Sequence, residues 1–232
     1  MEELRHQFRE TLRELEEQTL GAMDMVVSQV DRALESLSYQ DVELAGMVVA
    51  DDDQIDGRYL EVHQGILSLL ARQAPVAGDL RVVAALLHTL RCIERMGDQC
   101  VNIAKLVPLS GYEAPKDKEI LDWIERMGQR ARQQVIEAKE AFATRDVDLA
   151  RDLVRQDSEI NQLNRKIFRR AVDVGGNEDV REWSMFMVLV ARCLERIGDN
   201  TIDIAEQIVF IVTGLFRELA DASHATERAP TA

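Results

Sequence analysis

The 232-residue chain carries 42 acidic against 28 basic residues, for a net charge of −14 and a pI of about 4.8. Such a surface repels nucleic-acid phosphates and anionic lipid alike, which excludes both as direct partners and leaves cations and basic proteins. Hydrophobic residues at 46% and charged residues at 30% describe a folded chain with a sizeable core, not a disordered one.

From the N-terminus onward, apolar residues recur at spacings of three and four in segments rich in Leu, Ala, Glu, Arg and Gln. No segment shows the period-two alternation of a strand. The pattern predicts six helices, at 3–37, 41–73, 79–106, 116–143, 146–172 and 179–217. The opening MEELRHQFRE lacks the apolar run of a secretory signal. Helix two stops at QAPVAGD, helix three at VPLSGYEAPKD and helix five at DVGGNED, and Pro75, Pro108, Pro115 and Pro230 all fall in breaks. Asp79 and either Asn177 or Asp179 are the expected N-caps. The most apolar stretch, IVFIVTGLF (208–216), falls short of the ~20 residues that span a bilayer and is expected in the core. A polar tail over 221–232 is expected to be disordered. Cys92, Cys100 and Cys193 form no CxxC pair, and their odd number suits a reducing compartment, so a cytoplasmic protein is expected.

The chain repeats itself. QDVELAGMVVADDDQID (40–56) aligns with RDVDLARDLVRQDSEIN (145–161), and RCIERMGD (91–98) with RCLERIGD (192–199). Each copy reads helix–helix–helix. The expected architecture is all-α, two tandem three-helix bundles over 1–110 and 111–220, with one continuous six-helix bundle as the alternative.

The repeated octapeptide is a poor choice for helix stability. Like charges four residues apart repel by roughly 0.2–0.5 kcal/mol, and the intervening Gly costs about 1 kcal/mol against Ala. Glu94, Asp98 and Asn102 share one helical stripe, as do Glu195, Asp199 and Asp203. Asp52 and Asp56 in helix two, and Asp157 and Asn161 in helix five, keep the same spacing, flanked by Asp53 and Glu159. If helices two and three fold back about residue 76, Asp56 comes level with residue 96 and Asp52 with residue 100. Folding helices five and six about residue 176 sets Asp157 level with Glu195. Two acidic pairs then meet on adjacent helices in each repeat. Several carboxylates can bridge more than one hard or borderline cation, and Gly97 and Gly198 leave room for an ion or a close helix. The alternative is a surface ladder of ion pairs with Arg91, Arg95, Arg192 and Arg196. Asn161, standing where the first copy has Asp56, marks the second site as the poorer in charge.

Other chemistry has less support. His88 and Cys92 have ligand spacing for zinc, but Leu189 takes the matching place before Cys193, which favours a core cysteine. The histidines do not form the Glu-x-x-His motifs of di-iron bundles, and neither a phosphate-cradling Gly loop nor a catalytic His–Asp arrangement is evident. An enzyme is not expected. A carboxylate-bridged metalloenzyme and a metal-free helical scaffold are the alternatives.

Taken together, ERMGDQCVNIAK (94–105), ERIGDNTIDIAEQIVFIVTG (195–214), QDVELA, DDDQID and PVAGDLR (75–81) resemble the PhoU family, and the resemblance extends over residues 4–217. It implies two three-helix repeats whose E(D)xxxD motifs hold multinuclear metal ions (Fe, Zn, Mn or Mg) at Glu94, Asp98, Glu195, Asp199, Asp52, Asp56 and Asp157. Asn102, Asp203 and Asn161 are weaker candidates. It further implies a cytoplasmic homodimer that negatively regulates phosphate uptake and the phosphate-starvation response. Its implied partners are the ATPase subunit of the phosphate ABC transporter and the phosphate-sensing histidine kinase, with the membrane reached only through them.

Overall fold

Two turns of identical construction set the fold. In the computed structural model, which describes residues 2–111, 116–174, 178–216, 218 and 219, α1 (Glu2–Tyr39) ends at Gln40 and α4 (Lys118–Thr144) at Arg145. Both residues are left-handed, with φ of 55° and 59°, and each is followed by an aspartate that caps the next helix. Asp41 accepts the Leu44 N–H at 2.9 Å to start α2 (Val42–Arg72), and Asp146 accepts the N–H groups of Asp148 and Leu149, both at 2.9 Å, to start α5 (Val147–Asp173). Asp117 caps α4 in the same way through Ile120 N–H.

The remaining helices are α3 (Ala77–Leu106) and α6 (Glu178–Thr213). Asp79 does not cap α3: Val76 occupies that position without a side-chain bond, and Asp79 lies in the first turn, where a carboxylate still favours the helix dipole. Asp179 likewise lies inside the first turn of α6, and Asn177 falls outside the described residues. Helix α6 stops four residues earlier than its apolar pattern suggests, because Gly214 takes a φ of 74° and its N–H closes on Phe210 O at 2.8 Å. Of the 208–216 stretch, Ile208 and Val209 are core, whereas Val212, Leu215 and Phe216 are exposed. The tail expected over 221–232 lies wholly outside the described residues, as do Pro115 and Pro230.

Helices α1–α3 pack on one another, as do α4–α6, giving the duplicated all-α arrangement the repeat predicts. The two bundles join along α3 and α6, which run antiparallel: Arg81 meets Gly214 at one end, and Met96 meets Thr201 at mid-length. A second antiparallel seam joins α1 to α4, where Leu34 packs over Gly128 and the ion pairs Asp31–Arg132, Asp24–Lys139 and Glu16–Arg145 run along the edge. One continuous apolar core fills both bundles, with Met96, Leu90 and Ile93 of α3 and Leu194, Ile197 and Ile204 of α6 fully or almost fully buried. The outward faces of these same helices carry the acids.

Candidate functional site

In the first repeat the acids gather where α2 crosses α3 at its bare glycine. A methyl group on Gly97 would lie 2.9 Å from Asp52 Oδ1 and 3.3 Å from Ile55 Cδ1, so the missing side chain is what lets the Asp52 carboxylate lie on the α3 backbone. From α1, Gln29 Nε2 donates to Asp52 Oδ1 at 3.2 Å. Burial holds the Asp52 carboxyl above its ordinary range despite that hydrogen bond, and Asp56, Asp98 and Asp53 push it in the same direction. Glu94 is likewise raised, first by burial, with Asp98 and Asp56 adding to it against Arg91. Arg91 Nη1 bonds only Glu94 Oε1, at 3.0 Å. The other oxygen, Oε2, is buried without a hydrogen-bond partner.

The second repeat rebuilds the arrangement with fewer charges and deeper burial. A methyl on Gly198 would stand 2.7 Å from Asp157 Oδ1, 3.2 Å from Ile160 Cδ1 and 3.3 Å from Gln134 Oε1. Asp157 is only 9% exposed, and its carboxyl is pushed up to about 6, by burial first and by Asp199 second. Asn161 Nδ2 relieves it with a 2.6 Å hydrogen bond to Oδ2. Asp199 is also raised, by loss of solvent and by Asp203, against the pull of Arg192 and Arg196. Glu195 pairs with Arg192.

Asp52 and Asp157 thus reach α3 and α6, with a changed register. Asp52 sits at Gly97 rather than at residue 100, since the turn between α2 and α3 spans Gln73–Val76 and is centred ahead of residue 76. Asp157 sits at Gly198 rather than at Glu195. The carboxylates remain spread: among the described residues, no set of three from these motifs brings its ligand atoms within 4.8 Å of one another. Asn102 is exposed, and Asp203 turns away toward His88 and Cys92 of α3. Glu159 faces α4, bound by Arg126 and Arg130. The acidic pattern did not disclose Gln29 and Gln134, which close each cleft from a third helix. Their signal was present nonetheless, because they are equivalent under the same 105-residue repeat that relates Asp52 to Asp157.

Both clefts suit a hard cation on the chemistry of their donors. Asp157 Oδ1, Gln29 Oε1, Gln134 Oε1 and Glu94 Oε2 are buried oxygens outside hydrogen-bonding geometry, as is the Gln134 Nε2 donor, although the Gln134 amide still pulls the Asp157 carboxyl down. A buried oxygen with no proton donor costs roughly 1–3 kcal/mol, and coordination to a cation removes that cost.

Duplicated three-helix bundles with one acidic cleft apiece define a tandem-repeat, all-α protein. The model of the PhoU domain matches residues 20–107 and again 124–208, and the chain belongs to the PhoU family. Among its relatives is the phosphate-specific transport system accessory protein PhoU homolog of Clostridium acetobutylicum, 29% identical over 92% of this chain and 98% of that one. The Deinococcus radiodurans protein of the same name is 34% identical over 84% and 92%. The crystal structure of PhoU from Pseudomonas aeruginosa superposes with a TM-score of 0.84 at 27% identity, covering 90% of this chain and all of that one. The phosphate transport system regulatory protein PhoU of Streptococcus pneumoniae gives the same score at 25% identity, covering 90% and 99%.

Proposed function

We propose that this chain is a regulatory accessory of phosphate transport that holds metal ions in its two acidic clefts. The observation that carries the metal reading is the recurrence, in both repeats, of an aspartate seated on a helical glycine beside a buried amide, with oxygens that lack proton donors. The regulatory reading rests on the relatives, named for phosphate transport. In this reading residues 1–110 and 111–220 each supply one cleft. Glu94, Asp98, Asp52 and Asp56 serve the first and Glu195, Asp199 and Asp157 the second, where Asn161 contributes an amide. Bound iron, zinc, manganese or magnesium would neutralise the carboxylates and tie α2 to α3 and α5 to α6.

The role is regulatory, not catalytic. When phosphate is plentiful the protein restrains uptake and keeps the starvation response off, acting as a cytoplasmic homodimer between the transporter's ATPase subunit and the phosphate-sensing histidine kinase. Copurification of the full chain from phosphate-replete cells of its native host tests this: the ATPase subunit and the kinase should both be recovered, and recovery of neither refutes the role. Elemental analysis of the same sample tests the metal. Changing Glu94 and Asp98 together to Ala should remove most bound metal and leave the helical signal intact, and a metal content equal to wild type refutes the assignment.

A further inference from the structure

On the faces of α3 and α6 that meet between the two repeats, three side chains of different chemistry converge. His88 and Cys92, one turn apart on α3, face Asp203 on α6, and one ligand atom from each lies within 4.8 Å of the other two. Across the seam, His88 acts favourably on the Asp203 carboxylate, as does Arg95. Cys92 is 1% exposed, Asp203 is half-buried and His88 is exposed, so the three run from the core to the surface.

We propose that His88, Cys92 and Asp203 form a site for one borderline-soft divalent cation, of the zinc class, joining the first repeat to the second. Imidazole, thiolate and carboxylate together are a three-ligand zinc set, with water in the fourth position. Metal–ligand bonds of about 2.0–2.3 Å place neighbouring ligands roughly 3.5 Å apart, so the three need close by only about 1 Å. Arg95 and Glu206 are the other charged groups acting here. A metal-bound cysteine is a thiolate, so binding releases the thiol proton to solvent as the sulfur–metal bond forms, and it weakens as pH falls.

The site has no counterpart under the internal repeat. The equivalent positions are Leu189, Cys193 and Asn102, which retain one ligand of three. This asymmetry supplies the test variants, since His88→Leu and Asp203→Asn introduce residues the chain already uses at the matching place. The site does not depend on the acidic clefts, which contain no sulfur.

The experiment is a titration of the chelator-stripped full chain with Co²⁺, followed by displacement with Zn²⁺. A thiolate-to-cobalt charge-transfer band should appear in the near ultraviolet, plateau at the intensity of one thiolate–cobalt bond per chain and vanish on adding zinc. Cys92→Ser should abolish it, and His88→Leu and Asp203→Asn should each weaken binding by at least about tenfold. Cys193→Ser and the Glu94/Asp98 double substitution should leave the band unchanged, which separates this site from the clefts. No band in the wild type, a band that survives Cys92→Ser, or unchanged affinity in both His88→Leu and Asp203→Asn overturns the proposal.

Discussion

Replacing Asp157 with Asn should stabilise the metal-free protein at neutral pH. The carboxyl titrates near 6 in the fold against an ordinary 3.8, because burial and Asp199 disfavour its charge. A native pKa above the unfolded one means the folded state holds the proton more tightly. The group's contribution is therefore fully present below about pH 3.8 and is lost as pH rises through about 6. Raising the carboxyl from 3.8 to about 6 corresponds to about 3 kcal/mol of penalty above pH 7. Asn keeps the size of the side chain and an oxygen to accept the Asn161 N–H, but lacks the O–H of the protonated acid, so the expected gain is about 1–2 kcal/mol. Urea unfolding in chelating buffer, from pH ~4.5 to ~8, should show the two proteins converging at the acid end and separating as pH rises. Saturating Mn²⁺ should then stabilise wild type more than the variant, since the cation binds the ionised carboxylate. An Asp157→Asn protein that is less stable at neutral pH, or a difference that does not vary with pH, would refute this reading of the cleft.

Asn161→Asp sets a second carboxylate where an amide now donates to Asp157 at 2.6 Å. The metal-free protein should lose about 1–3 kcal/mol at pH 7 and recover more than wild type on adding Mn²⁺, read as paired thermal melts with and without chelator. Gly97→Ala gains about 1 kcal/mol of helix propensity but drives a methyl to 2.9 Å from Asp52 Oδ1. Its metal affinity should fall by calorimetric titration while its melting temperature changes little. Asp146→Ala removes both N-cap hydrogen bonds of α5 and should cost about 1 kcal/mol in urea unfolding, with metal content unchanged.

All six helices were legible because the 3.6-residue pattern runs long and breaks at proline, glycine and aspartate. Errors clustered at the ends, where one residue decides. Asp79 resembles a cap, yet the chain enters α3 at Val76 because Pro75 and Val76 already hold it extended. The acids were legible as a repeated pattern, and the Asp–Gly crossing was missed by three residues, since heights counted from a guessed turn inherit the error of that guess. Gln29 and Gln134 carry no charge and break no helical rule, so only the internal repeat could have singled them out. Asp203 belonged on paper to the Glu195–Asp199 stripe. Its neighbours on α3 come from the other repeat, and no argument confined to one repeat could have brought them together.

The two clefts have diverged along a consistent line. In the first, Asp52 feels Asp53, Asp56 and Asp98, and the adjoining α1–α2 seam holds the ion pair Arg32–Asp51. In the second, Asn161 replaces the acid at Asp56, and the corresponding seam holds Glu137 and Gln156 in a neutral-donor hydrogen bond of 2.8 Å. Charge has been withdrawn where burial is deeper: Asp157 is almost fully enclosed, while Asp52 is only partly so. The same Coulomb repulsion is stronger at lower effective dielectric, so a fourth carboxylate that the open cleft can hold would weigh far more on the closed one. Asn161 thus reads as what lets Asp157 stay ionisable in a buried cleft, so the first cleft is the richer in charge and the second holds fewer, less solvated groups.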